Sequence, residues 1–203
     1  MSVCKWLIFI NIIMFLLMGF FDPSGFILTS QGIWYTLITS IFIHANFQHL
    51  FGNMFILWIF SNFEEVIGKK NYLCIYFVAG LMGSIFSLYF GMVPTVGASG
   101  AIMGIIAASL INTIKEQKYL IKIQKLKKSA INITYVFITI MILFLFIPNS
   151  DQGINNVAHI SGFITGAIVY CIIENKEKWY VKKYEEFIKD LEEKVIKQLK
   201  ENL

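Results

Sequence analysis

Apolar residues dominate this chain in long blocks, and the polar residues fall between them. Six apolar segments stand out, at roughly 6–21, 50–63, 71–93, 97–114, 130–148 and 156–174. A bilayer-spanning helix needs about 20 apolar residues, with a working range of about 17–25. The third, fifth and sixth blocks meet that length. The first, second and fourth are short, and the second gains length by starting near Gln48; short spans are tolerated inside a bundle or a thinned bilayer. The pattern therefore predicts an all-α membrane protein with six spans. The stretch between the first two blocks, 22–47, is long and nearly uncharged, with Phe26, Ile27, Trp34, Tyr35, Ile41, Phe42 and Phe47. A loop of that composition suits the membrane interface better than water.

Composition agrees. Of 203 residues, 57% are hydrophobic and 15% charged, against about 25% charged in soluble domains. The net charge of +4 does not indicate nucleic acid, because the cations are confined to a few places. Every basic residue is lysine. Lys5 stands alone, Lys69 and Lys70 form a pair, six lie between Lys115 and Lys128, and eight between Lys176 and Lys200. Cytoplasmic loops carry such excess. Six spans with both termini cytoplasmic satisfy all four clusters, so loop 22–47, loop 92–96 and loop 149–155 face outward. The first block, flanked by Phe20-Phe21-Asp22-Pro23 rather than a small-residue cleavage site, is expected to be a retained anchor. Residues 1–174 then form the membrane domain. Residues 175–203 form a lysine-rich cytoplasmic helix whose apolar stripe (Tyr180, Tyr184, Phe187, Ile188, Leu191, Val195, Leu199) suits the anionic inner leaflet. Cys4, Cys74 and Cys171 are expected to be free thiols.

Against this background a few polar residues are conspicuous. The three histidines are His44, His49 and His159, and the topology puts all of them at the outer ends of spans. Ser99 begins the fourth span from the same side, in Gly97-Ala98-Ser99-Gly100. At 1.5 Å per residue, Ser99 and His159 lie at similar shallow depth. His49 and Asn53, four apart, share a helix face. Gly100 and Gly104 follow Ser99, and Gly162 and Gly166 follow His159; glycines at this spacing let membrane helices approach closely. Taken singly, each residue has a bland reading as a satisfied polar contact. Gathered in one layer, they read as chemistry: His159 removes the proton of Ser99, which attacks a peptide carbonyl, and His49, Asn53 and the backbone N–H groups of the Gly97–Ser99 turn hold the oxyanion. No external carboxylate is placed to orient His159, so a Ser–His dyad is expected. No His-Glu-x-x-His sequence is present, no metal set is spaced to bind, and no cofactor is expected.

At these residues the chain resembles the rhomboid family of intramembrane serine proteases. Trp34, the Thr39–His44 stretch, His49-Leu50-Phe51-Gly52-Asn53, Glu64 with Gly68, Gly97-Ala98-Ser99-Gly100 and Ala158-His159 with Gly162 and Gly166 carry the likeness. The resemblance implies a six-helix bundle with a membrane-embedded first loop. It implies Ser99 as nucleophile, His159 as base, His49 and Asn53 as oxyanion donors, and His44 as a supporting residue. It also implies single-span membrane proteins as substrates, reaching the site laterally beside the fifth span with loop 149–155 as its cap, and an outward-facing site; the compact form suggests a prokaryotic plasma membrane. Two departures stand out: Tyr35 follows Trp34 where relatives carry arginine, and Met103 stands where relatives often carry an aromatic packed on the histidine. The competing functions are a non-catalytic relative that binds or escorts membrane proteins, and a small transporter; the latter would call for midplane polar groups or matching half-repeats, and the sequence shows neither.

Overall fold

A computed structural model describes residues 2–31, 33–122, 155–173, 184, 185, 187–189 and 192. The fifth apolar block, loop 149–155 apart from Asn155, and most of the tail lie outside the described residues. The architecture is helical: α1 (Val3–Leu17), α2 (Thr36–Thr39), α3 (Phe47–Ile59), α4 (Phe63–Ile67), α5 (Lys69–Tyr89), α6 (Ser99–Lys122) and α7 (Asn156–Ile173). Among the described residues there is no strand, only an isolated antiparallel bridge between Leu28 and Thr95. Residues 1–171 make one compact unit. Residues 172–203 make a second, in which 184, 185, 187–189 and 192 are helical.

The outside of the main unit is apolar. Trp6, Phe9, Leu16, Phe51, Trp58, Ile160, Ile164 and Ile168 are all exposed. On α3, Phe47, Phe51 and Phe55 stack ring on ring along the outer face. Inside, small and polar groups are packed among larger apolar ones: the buried face of α5 is Tyr72, Ile75, Tyr76, Ala79, Gly80, Gly83, Ser84 and Ser87. An apolar exterior suits a lipid solvent, because apolar side chains gain nothing by leaving it, while backbone and polar groups must be satisfied internally. The 21 residues of α5 and the 18 of α7 make both long and apolar enough to cross a bilayer; at 1.5 Å per residue, α5 is about 31 Å long, the thickness of the hydrocarbon core. The chain is an integral membrane protein.

Element ends differ from the apolar blocks in instructive ways. Helix α1 starts at Val3 rather than near residue 6. The Glu64 carboxylate, 3% exposed, accepts from the Val3 N–H (2.9 Å) and the Cys4 N–H (2.8 Å), so two of the orphan donors at the helix start are satisfied by an anion against the positive end of its dipole. The buried Cys4 thiol donates to the Leu57 carbonyl at 3.3 Å, further fastening α1 to α3. At the other extreme, α6 continues to Lys122 where the hydropathy pattern ends a span near 114. A helix ends where its backbone bonding stops, not where lipid does, and Lys, Glu and Gln are good helix formers in water. Cys74 and Cys171 are exposed free thiols.

The segment between α1 and α3 is folded rather than loose. It holds two short 3₁₀ turns, Ser24–Phe26 and Ser40–Phe42, around α2. Leu28, Thr36, Ser40, Ile41, Ile43 and His44 are buried, while Phe26, Ile33, Trp34 and Ile38 are exposed. Leu28 exchanges both backbone hydrogen bonds with Thr95 (2.9 and 3.3 Å), stitching this segment to the strand-like stretch before α6.

Candidate active site

Helix α6 begins at Ser99 because the chain turns sharply just before it. Gly97 has φ +111°, a left-handed conformation open chiefly to glycine. Its N–H donates to the Ser40 carbonyl at 2.8 Å, and the Ile102 N–H closes the first helical bond onto Ala98 at 2.9 Å. The first-turn N–H groups of α6, beginning with that of Ser99, have no carbonyl one turn earlier to bond. Ser99 is half-buried at this helix start.

The Gly97 N–H, one of the candidate oxyanion donors, is engaged by the Ser40 carbonyl of the folded first loop. The contribution of Gly97 is room. A Cβ at Gly97 would stand 2.6 and 2.7 Å from Cε1 and Nε2 of His49 and 3.5 Å from Nδ2 of Asn53. Only a residue without a side chain lets the His49 ring lie against the backbone two residues before Ser99. The His49 ring and the Asn53 amide lie against this turn.

His49 and Asn53 reach this corner from α3. Asn46 caps that helix, its Oδ1 accepting from the His49 N–H at 2.8 Å, which fixes where the helix starts and therefore which face His49 and Asn53 share. Asn53 is 8% exposed, and among the described residues its Nδ2 has no hydrogen-bond partner. A buried donor left open is costly, about 1–3 kcal/mol, and is the kind of group that donates to an incoming oxygen. His44 is fully buried with its ring edge-on to that of His49 at 5.1 Å, so it backs the His49 ring.

His159 comes from α7, and the glycines bring it alongside. A Cβ on Gly162 would collide with the Gly100 carbonyl oxygen, and one on Gly166 with Cα and O of Gly104. Helix α5 joins the same seam: a Cβ on either Gly83 or Gly100 would sit 3.2 Å from the Ala158 carbonyl oxygen, and one on Gly104 would strike the Ala79 methyl. The three helices meet backbone to backbone, and the contact is bracketed by Ser99, the residue before Gly100, and His159, the residue after Ala158. His159 is 9% exposed. Met103, one turn along α6 from Ser99, is buried. The part played by α5 in this seam was not anticipated, although Ala79, Gly80, Gly83, Ser84 and Ser87 recur at helical spacing as a small-residue face. Asn155 was likewise not singled out.

A half-buried hydroxyl on α6 and a buried imidazole and amide on α7 and α3 lie within an apolar exterior, in a helical membrane protein. The rhomboid-domain family model matches residues 31–176. Rhomboid protease GluP of Bacillus subtilis (strain 168) is 36% identical over 140 residues, covering 68% of this chain and 26% of that protein. Rhomboid protease AarA of Providencia stuartii is 31% identical over 187 residues, 77% of this chain and 63% of that protein. Inactive RHOMBOID-like protein 8 of Arabidopsis thaliana is 31% identical over 135 residues, 66% of this chain and 36% of that protein. The chain thus spans less than two thirds of the length of each of these relatives. It belongs to the rhomboid family.

Proposed function

We propose that this protein is an intramembrane serine protease acting through a Ser99–His159 dyad. His159 takes the hydroxyl proton as the Ser99 oxygen attacks a peptide carbonyl, giving a tetrahedral oxyanion. The oxyanion accepts from Nδ2 of Asn53, from His49 and from the Ser99 N–H, donors held before the charge develops. His159 then protonates the departing amine, leaving an acyl ester on Ser99. Water, deprotonated by His159, releases the acid and restores the hydroxyl. The observation that carries this reading is the backbone contact of Gly100 with Gly162, which leaves the nucleophile and the base flanking one seam.

In this reading six helices cross the membrane with the lysine-bearing ends cytoplasmic and the Ser99 corner toward the outside. The apolar outer side of the first loop rests in the outer leaflet. Substrates are single-span membrane proteins with small or helix-breaking residues near their outer end, since a peptide bond in a stable helix is sheltered by its own hydrogen bonding. A second reading, a rhomboid that binds membrane proteins without cutting them, is favoured by Met103 and by the likeness to a relative named inactive.

The test is labelling of the detergent-solubilised full chain with a fluorophosphonate probe, comparing wild type with Ser99→Ala and His159→Ala. Labelling lost in both variants supports the dyad. A folded wild type that takes no label refutes it and favours the binding reading.

A further inference from the structure

Asn155 sits immediately before α7, four residues from His159. Its Nδ2 lies within hydrogen-bond distance of Ser87 Oγ (2.9 Å), the Met92 carbonyl (2.9 Å) and Thr95 Oγ1 (2.8 Å), and with two protons for three acceptors one N–H is shared between two of them. Its Oδ1 accepts from the Ala158 N–H (3.0 Å), and its main-chain carbonyl accepts from the His159 N–H (3.2 Å). The amide orientation is not arbitrary. The Ala158 N–H can only donate and the Met92 carbonyl can only accept, so oxygen and nitrogen can be assigned one way. The two hydroxyl protons are already committed, Ser87 Oγ donating to the Gly83 carbonyl (2.7 Å) and Thr95 Oγ1 to that of Met92 (2.5 Å). Each hydroxyl therefore offers Asn155 a lone pair.

The partners matter more than their number. Ser87 is near the end of α5, and Thr95 is four residues before Ser99 and bridges to Leu28 of the first loop. One side chain thus caps the helix that carries the base and grips the stretch that delivers the nucleophile. We infer that Asn155 is a positioning residue that fixes the depth of His159 relative to Ser99. This role rests on the protease reading, and Asn155 itself touches neither reacting group. A helix cap alone would need only the oxygen of Asn155; the contacts of its nitrogen, all to elements outside α7, are what a cap does not require.

Asn155→Ser separates the two roles. Serine is a good helix cap but too short to reach Ser87, Met92 and Thr95. Thr95→Val removes one acceptor at nearly constant volume and leaves the cap untouched. In the full-length protein, fluorophosphonate labelling is resolved into a binding constant and a maximal rate, alongside the thermal midpoint. Asn155→Ser is expected to keep the midpoint and the binding constant while the maximal rate falls about tenfold or more, as small misplacements of catalytic groups do. Thr95→Val is expected to lower the same rate at an unchanged midpoint, and the double variant to fall no further than Asn155→Ser, because both cut one link. Should Asn155→Ser label like wild type, Asn155 is only a cap and the inference is wrong. Should Asn155→Ser unfold, Thr95→Val decides, and a wild-type rate in that variant overturns the inference. Absence of labelling in folded wild type overturns the protease reading and this role together, whereas normal labelling of all variants overturns this role alone.

Discussion

Gly166 lies seven residues beyond His159, about 10 Å along α7, and touches no group proposed to react. Replacing it with alanine nonetheless has a computable consequence. The new Cβ would overlap Cα and O of Gly104 and stand 2.6 Å from its carbonyl carbon. Ordinary contacts of this kind begin at 3.4 Å, so relieving even the carbonyl-carbon contact needs about 0.8 Å of separation between α6 and α7. All three obstructing atoms are backbone, and no rotamer change can make room. Overpacking of this kind costs about 1–3 kcal/mol. Alanine also has better helix propensity than glycine by up to about 1 kcal/mol, which partly masks the clash. Gly52→Ala supplies the correction, since Gly52 lies inside α3 and a Cβ there meets nothing within 4 Å. The difference between the two variants isolates the clash and is expected to be about 1–3 kcal/mol by thermal unfolding in one detergent. Because a shift near 1 Å can cost about a hundredfold in rate, Gly166→Ala should also label at Ser99 roughly ten to a hundred times more slowly. A Gly166→Ala protein as stable as Gly52→Ala, labelling at the wild-type rate, would refute the helix contact on which the site reading depends.

Three further outcomes are expected. Glu64→Ala leaves the part-buried Val3 N–H and the buried Cys4 N–H without their carboxylate and should destabilise the protein by about 1.5–3 kcal/mol, measured by thermal unfolding. Asn46→Ala removes the cap of α3 at the His49 N–H, at a cost of about 1 kcal/mol, and should slow labelling because His49 shifts with the helix start; labelling unchanged beside a lowered midpoint would remove His49 from the mechanism. Met103→Phe should raise the maximal labelling rate by holding the imidazole more rigidly than a thioether does, even if the larger ring lowers the thermal midpoint; an unchanged or reduced rate would show that Met103 is not the limitation.

Much of the site was readable from the chain because lipid makes polar residues conspicuous. Ser99, His159, His49 and Asn53 stand out among apolar neighbours, and the glycine pairs after Ser99 and His159 announced which faces would meet. What stayed hidden was set by backbone detail. The Gly97 N–H pairs with Ser40, 57 residues earlier in the chain, and only the folded first loop puts that carbonyl there. Asn155 and Asn156 are adjacent and chemically identical, so which one caps α7 depends on the residue at which the helix starts. The Glu64–α1 contact joins residues about 60 apart and has no local signature. The extension of α6 to Lys122 was obscured because hydropathy reports the solvent around a helix, not its hydrogen bonding. The small-residue face of α5, by contrast, was present as a plain periodic signal.

The seam between α5, α6 and α7 has a mechanical meaning. Side chains normally act as springs between helices, taking up small displacements by changing rotamer. At Gly83, Gly100, Gly104, Gly162 and Gly166 there are no springs, and rigid peptide planes bear directly on one another. Such a joint is either seated or parted, with little travel between. On the protease reading, any give that admits a substrate would be borne by other elements, with the Ser99 and His159 helices moving as one block. Heating should consequently abolish labelling and unfold the bundle at a single temperature, with no softened, inactive stage beforehand.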